Sequence, residues 1–339
     1  MKQTALILFL FLGAAAVGAV WWIWQDMQKQ LHAPLALKSE LFFTIEPGMT
    51  LQKIGDDLHR RGVLRQPYYL LLEARRQGKE RQIKAGEYRL LPGTTPLEML
   101  DQFVAGKVFQ HALRLLEGWT FAQVMAAVQA NQHLKHTLPE ADTETLMAAL
   151  GAPSAHPEGQ FFPDTYHFPA GTTDLAFLRR ARERMQEVLA GEWQSRAEGL
   201  PYPSPYEALI MASIVEKETG LAEERGKIAG VLLRRLERNM KLQVDPTVIY
   251  ALGYGFDGNL RRDDLDFDSP YNTYRYPGLP PTPIAMPGLE SLRAALNPEA
   301  GDALYFVAKG DGSHHFSATL NDHNSAVARY QQGENEGGD

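Results

Sequence analysis

Glu218 closes the run LIMASIVEKETG (Leu209 to Gly220), an acid at the end of a mostly apolar segment. Ile210, Ile214 and Glu218 follow one another at four-residue steps, so a helix here carries the carboxyl in line with the stripe that Ile210 and Ile214 bury. Apolar surroundings disfavour the charged form of a carboxyl and keep it protonated near neutral pH, which a general acid requires. Glu218 is therefore the candidate acid, and Glu216, two residues earlier, should point elsewhere. The plain structural alternative makes Glu218 a solvated last-turn residue, or one paired with Arg225 or Lys227 in the next helix.

The elements that must hold this acid are marked in the chain. Ser204 suits the N-cap of its helix, Pro205 the first position, and Glu207 completes a capping box. An amphipathic helix is predicted over Leu175–Glu192, and another over Glu223–Asn239. The second turns Ile228, Val231, Leu232 and Leu236 inward and Arg234, Arg235 and Arg238 outward as a solvated face. From Gln243 to Gly288 the chain is rich in Tyr, Pro, Gly, Asn and Asp and reads as a long loop. Such tyrosines can stack on sugar rings, or can simply pack. A hairpin is predicted from Ala303–Ala308 and His314–Ser317 around Gly310-Asp311-Gly312, then a helix over Asn321–Tyr330 and a disordered tail over 333–339.

The first half carries a degenerate repeat. FTIEPGMTLQKIGDDL, YRLLPGTTPLEMLDQF and LRLLEGWTFAQVMAAV each read as strand, turn and helix. Gly48, Gly93 and Gly118 supply the turns, Thr50, Thr95 and Thr120 the caps, and Ile54/Leu58, Met99/Phe103 and Val124/Val128 the buried steps. These small αβ units, over residues 40–150, resemble the LysM module, which binds N-acetylated glycans; a packing or spacer domain is the alternative. The Gly-, Pro- and Ala-rich stretch at Gly151–Pro157 sets the domain join before EGQFFPDTYHF.

The chain has 339 residues, enough for two or three domains, with 44% hydrophobic and 22% charged residues. A net charge of −7 and the lack of a Lys/Arg stripe argue against a nucleic-acid partner. With no cysteine, disulfides, thiol catalysis and thiolate metal sites are excluded. Thr4 to Trp24 is uncharged and, at ~1.5 Å per residue, spans about the thickness of a bilayer core. Lys2 precedes it and Trp21, Trp22 and Trp24 close it, which suits an uncleaved anchor over residues 1–25 with the body outside the cytoplasm; a cleaved signal peptide is the rival. No H-E-x-x-H, G-x-S-x-G or Walker loop occurs, and no serine has a lysine three positions on. GYGFDG matches G-x-G-x-x-G in form only, since no apolar helix follows it. His314, His315 and His323 are the one histidine cluster to test for metal, and a surface or core role suits them better.

EGQFFPDTY, ASIVEKETG, LQVDPTVIYALG, SPYNTYRYPGLPPTPI and FSATLNDHN together resemble the YceG-like endolytic murein transglycosylases, the MltG type, over nearly the whole chain. The resemblance implies an inner-membrane, single-pass protein with a catalytic domain over 157–332 in the periplasm. It also implies a cut at the β-1,4 bond between N-acetylmuramic acid and N-acetylglucosamine in nascent peptidoglycan, with 1,6-anhydromuramyl products. In that family the acid is the second Glu of the EKET motif, here Glu218, the same residue that the apolar spacing singles out. Tyr271-Asn272 and Thr219, after the acid, resemble the downstream Tyr-Asn and the Glu-Ser/Thr pair of lytic transglycosylases. Asn272 is the candidate ligand of a sugar acetamido group or an orienter of Glu218, while Thr219 can instead only end the helix. Gln243, Asp245, Thr247 and Tyr274 are further substrate-binding candidates, with a turn or cap role the alternative for Asp245. No metal or cofactor is implied, and peptidoglycan synthases are expected partners through the resemblance alone. The expected fold is α+β: a transmembrane helix, LysM-like αβ units and an α+β catalytic domain. Because the substrate's own hydroxyl is the nucleophile, one carboxylate suffices, and no second buried acid stands out. A hydrolysing muramidase would need another, with Asp245 or Glu216 nearest; a glycan-binding scaffold would need none.

Overall fold

The computed structural model describes residues 2–138 and 143–332, so the predicted tail at 333–339 lies outside the described residues. The fold is α+β, with helices around three two-stranded sheets, and the chain divides into two compact units. The first comprises residues 1–111 and 168–171, the second 112–167 and 172–339.

The first unit opens with α1 (Lys2–His32), whose stretch from Ile7 is long and apolar enough to cross a membrane, with a mean hydropathy of 2.1. Such a helix suits a single-pass anchor or a signal sequence. The helix runs past the apolar stretch, so the more polar residues from Gln25 to His32 are helical too. The reason is packing, because Met27 and Leu31 are buried in the core of this unit. Next come β1 (Leu41–Ile45), α2 (Leu51–Arg60), α3 (Pro67–Arg76), β2 (Gly86–Leu90) and α4 (Pro96–Ala105). Strands β1 and β2 pair antiparallel, Leu41 opposite Leu90 and Ile45 opposite Gly86. The strand of the second repeat therefore closes the sheet begun by the first, and the two repeats form one β-α-α-β core followed by a helix. Phe43, Tyr88, Ile54, Leu58, Met99 and Phe103 fill that core.

β3 (Gln110–Arg114) leads into the third repeat, whose helix α5 (Phe121–Ala130) belongs to the second unit. The repeat's local rules hold in all three copies. Thr50, Thr95 and Thr120 each accept the backbone N–H three residues on, of Lys53, Glu98 and Gln123. The second unit continues with α6 (Thr143–Ala149), the first three residues of β4 (Thr165–Pro169), the strand that pairs with β3, and α7 (Asp174–Gln194). Then follow α8 (Pro205–Glu218), α9 (Arg225–Glu237), α10 (Asp245–Leu252), α11 (Leu289–Leu296), the hairpin β5 (Tyr305–Ala308) and β6 (His314–Ser317), and α12 (Leu320–Val327).

α8 is the centre of this unit and packs on α7, α9, α10 and α11. Every residue from Ala208 to Val215 is buried, so the helix is enclosed all round and not along a stripe only. Burying each of its Leu and Ile side chains contributes about 1.5–3 kcal/mol. Ser204 caps it by accepting the Tyr206 N–H, but Glu207 takes the Ser204 hydroxyl, so the reciprocal capping box is not completed. Within α8 the buried Ser213 hydroxyl donates to Ile210 O (2.7 Å) and accepts the Ile284 N–H (3.0 Å), which pins the proline-rich segment to the helix. Gly159 in the EGQFF segment has φ +77°, and a Cβ there would sit 2.6 Å from Pro283, so this close approach needs glycine.

Candidate active site

Two departures from the sequence reading shape the site. Asp245–Leu252, expected to lie in a long loop, is a helix, with Pro246 in its first turn where a missing N–H costs nothing. Arg235, expected on a solvated face with Arg234 and Arg238, is buried, at 7% exposure. Its Nε donates to Leu304 O (2.6 Å) and its Nη1 to Leu242 O (2.9 Å), Lys241 O and Gln243 Oε1. These acceptors come from the approach to β5 and the turn before α10, which fold over α9 and cover the face that periodicity alone leaves open.

The resulting cavity, of about 570 Å³, is lined by Glu218 at the end of α8, by Gln243, Asp245 and Tyr274, and by Arg235, Arg261 and Arg262. Phe306 and Val307 of β5 add apolar wall, and His314 and His323 also reach it. Its size lies within the range of ~300–1,000 Å³ usual for ligand pockets. Glu218 Oε2 is sealed from solvent and has no hydrogen-bond partner among the described residues. Burial, and then the neighbouring Asp245 charge, push the Glu218 carboxyl up from 4.5 to about 8. The alternative pairing of Glu218 with Arg225 does not occur, because Arg225 lies 3.7 Å from Glu216, which also accepts the Gly288 N–H (2.9 Å).

Of the other candidates, Gln243, Asp245 and Tyr274 share the cavity wall with Glu218, and the Tyr274 hydroxyl donates to Asp245 Oδ1 (2.5 Å). Gln243 holds a left-handed backbone, φ 53°, that turns the chain into α10. Asn272, Thr247, Thr219 and Tyr271 are not among the lining residues. Asn272 is fully buried: its Nδ2 donates to Leu265 O and Phe267 O, and its Oδ1 accepts the Tyr274 N–H. Thr247 bonds Val244 O and Thr273 Oγ1, and Thr219 accepts the Leu221 N–H just past the end of α8. The Tyr271 ring lies 5.0 Å from that of Tyr250, and its hydroxyl bonds Thr282 Oγ1. His314 bonds Glu224 (2.7 Å), and His323 stacks on Tyr305.

The YceG-like family model matches residues 43–329. The chain belongs to the YceG-like family. This YceG-like chain is 31% identical to an endolytic murein transglycosylase of Bacillus subtilis, over 88% of its own length and 87% of that protein. It is 27% identical to an endolytic murein transglycosylase of Streptococcus pneumoniae, over 88% of this chain and 60% of that longer protein. Among solved structures, a YceG-like protein of Listeria monocytogenes superposes with a TM-score of 0.55 at 29% identity, covering 85% of this chain and 99% of that one.

The YceG-like chain also contains another buried acid held towards its protonated form, which sequence reading did not single out. Glu158, of the EGQFF motif, is 3% exposed; it accepts the Phe121 N–H at the start of α5 (2.9 Å) and the Tyr250 hydroxyl of α10 (3.1 Å). Burial outweighs these donors and pushes its carboxyl from 4.5 to about 7. Helical spacing could not have found it, because Glu158 lies in a turn and its partners, Phe121 and Tyr250, are far along the chain. Glu158 is not among the residues lining the cavity with Glu218.

Proposed function

We infer that this chain is a peptidoglycan lytic transglycosylase that cuts glycan strands internally. The observation that carries the reading is Glu218, an acid held protonated up to about pH 8 with an unpartnered oxygen at the wall of a ligand-sized cavity. The naming of the Bacillus subtilis relative as an endolytic murein transglycosylase supports the same substrate class. In the mechanism we propose, Glu218 gives its proton to the glycosidic oxygen between N-acetylmuramic acid and N-acetylglucosamine, and the C1–O bond breaks. As a carboxylate it then takes the proton of the muramyl C6 hydroxyl, whose oxygen bonds to C1 and closes a 1,6-anhydro ring. No water is consumed, so one enzyme carboxylate serves both steps.

Gln243, Asp245 and Tyr274 contact the sugar in this reading. Asn272, Thr247, Tyr271 and Thr219 act one layer behind: Asn272 orients Tyr274 through its backbone N–H, and Thr247 and Thr273 hold the turn that carries Gln243 and Asp245. Asp245, on the same cavity, keeps a hydrolysing muramidase as the second reading. Mass spectrometry of products from the protein and its Glu218→Gln variant separates the readings. Anhydromuramyl ends lost in the variant are expected; free reducing ends mean hydrolysis, and no cleavage by the unaltered protein leaves a binding scaffold.

The β-α-α-β core of the first unit supports the LysM-like reading and a glycan-binding role. A full-length Glu218→Gln protein that did not sediment with insoluble murein would remove that role. We further propose that α1 anchors the chain once in the inner membrane with the second unit in the periplasm, near the synthases that make its substrate.

A further inference from the structure

The segment from Asp257 to Asp268, GYGFDG's sequel, has no part in the mechanism above, yet it forms a wall of the cavity. It holds five aspartates and two arginines, and of these seven only Arg261 and Arg262 line the cavity. Three of the aspartates are engaged elsewhere. Asp257 pairs with Arg261, Asp264 accepts the Arg261 backbone N–H, and Asp268 accepts the Tyr276 hydroxyl. Asn272 fixes the segment from behind by donating to the carbonyls of Leu265 and Phe267, and Arg275 does so by donating to Asp266 O. Of its charged groups, this net-acidic loop thus presents only the cations to the cavity, beside Leu260 and Leu265.

The three arginines there are not equivalent. Arg235 spends its Nε and Nη1 on carbonyls and Gln243, and Arg261 is held by Asp257. Arg262 is exposed, and its side chain makes no hydrogen bond or ion pair to any described residue. Nor do these arginines tune the acid: burial and Asp245 act on Glu218, and no cation offsets them. Tyr274 lies between the two fields, feeling Asp245 and Glu218 on one side and Arg235 on the other. The cavity therefore has an acid part that does chemistry and a cationic part with an unspent guanidinium. A planar guanidinium fork matches a carboxylate with two parallel hydrogen bonds.

We propose that Arg262, with Arg261 beside it, binds a carboxylate of the peptide stem borne by the muramyl residue next to the cut, so that the cavity selects strands with charged stems. This rests on the transglycosylase reading. A stem carboxylate is the fitting anion because an internal cut has muramyl peptides on both sides, whereas the diphosphate of a lipid-linked strand occurs at one end only.

The test uses the full-length protein in detergent, with uncrosslinked strands freed of terminal diphosphate. In one preparation the stem carboxylates are free, and in the other they are converted to primary amides. The release of anhydromuramyl ends by the unaltered protein should show kcat/KM higher on the charged strands by on the order of tenfold, the scale of one charge-assisted hydrogen-bond pair. Arg262→Ala should bring that ratio towards one, and Arg262→Lys should keep part of it. A protein that cuts both strands equally, or an Arg262→Ala variant that slows both in proportion, overturns the proposal and leaves the transglycosylase standing. A preference that appears only when the terminal diphosphate is retained overturns it in favour of phosphate binding. If the unaltered protein releases no anhydromuramyl ends from either strand, the transglycosylase reading itself falls, and this proposal with it.

Discussion

At the level of single residues, two causes act together on the Glu218 carboxyl, the proposed acid. Burial disfavours the Glu218 anion and the Asp245 charge disfavours it further, so the proton needed by the leaving oxygen is retained up to about pH 8. The rate should fall as pH rises through about 8, since only the protonated form donates. Asp245→Asn removes one of the two causes, so the alkaline limb of kcat/KM should move to lower pH; a limb that does not move would show that Asp245 leaves the acid untouched. Glu218 was legible in the chain because its burial follows from a local apolar spacing. Arg235 was not, because what covers it arrives from Lys241–Gln243 and Leu304. An outward position on an isolated α9 becomes an inward one only when those segments fold over it.

At the level of elements, Glu158 ties the N-terminus of α5 to α10, the helix whose first residue is Asp245. Its carboxyl stands at about 7 in the folded protein against 4.5 in the open chain, so the folded state holds the proton more tightly. The sign follows: this stabilisation is complete below about pH 4.5 and is lost as pH rises through about 7, an effect on the order of 3 kcal/mol. Glu158→Gln, uncharged at every pH, should therefore flatten the fall in melting temperature between these limits. Glu218 contributes the same sign up to about pH 8, so part of the slope should remain. An unchanged slope, measured by calorimetry across this range, would mean that Glu158 does not titrate in the folded protein. The helices α7, α8 and α9 and the β5–β6 hairpin were readable from periodicity and turn residues. Helix α10 was masked by a Pro-, Tyr- and Gly-rich composition that usually marks loops, and it forms because its Val248 and Thr247 have a core to enter.

At the level of the whole molecule, α1 has two distinct parts along its length, and the anchor proposal concerns the first. Its apolar part is unburied, while Met27 and Leu31 belong to the core of the first unit. A protein starting at Asp26 should leave the membrane fraction and keep that core. One starting at Ala33 loses both side chains, and its first unit should melt at lower temperature, since removing a buried Leu or Met side chain costs about 2–5 kcal/mol. Fractionation and thermal unfolding of the two truncations check this. Equal stability would mean that the helix only tethers.

The sequence by itself determined what depends on neighbours along the chain. The capped αβ repeats, the apolar span and the acid at the end of an apolar helix are all set by residues within about four positions of each other. The tertiary structure decided what depends on residues brought together from afar. It joined two repeats in one sheet, as the pairing of Leu41 with Leu90 records. It buried Arg235 and Glu158, whose partners lie far along the chain. It also set Glu218 of α8, Asp245 of α10 and Arg262 of the segment after α10 around one cavity. Periodicity carries no information on which distant backbone will satisfy a buried polar group, and that choice made the site.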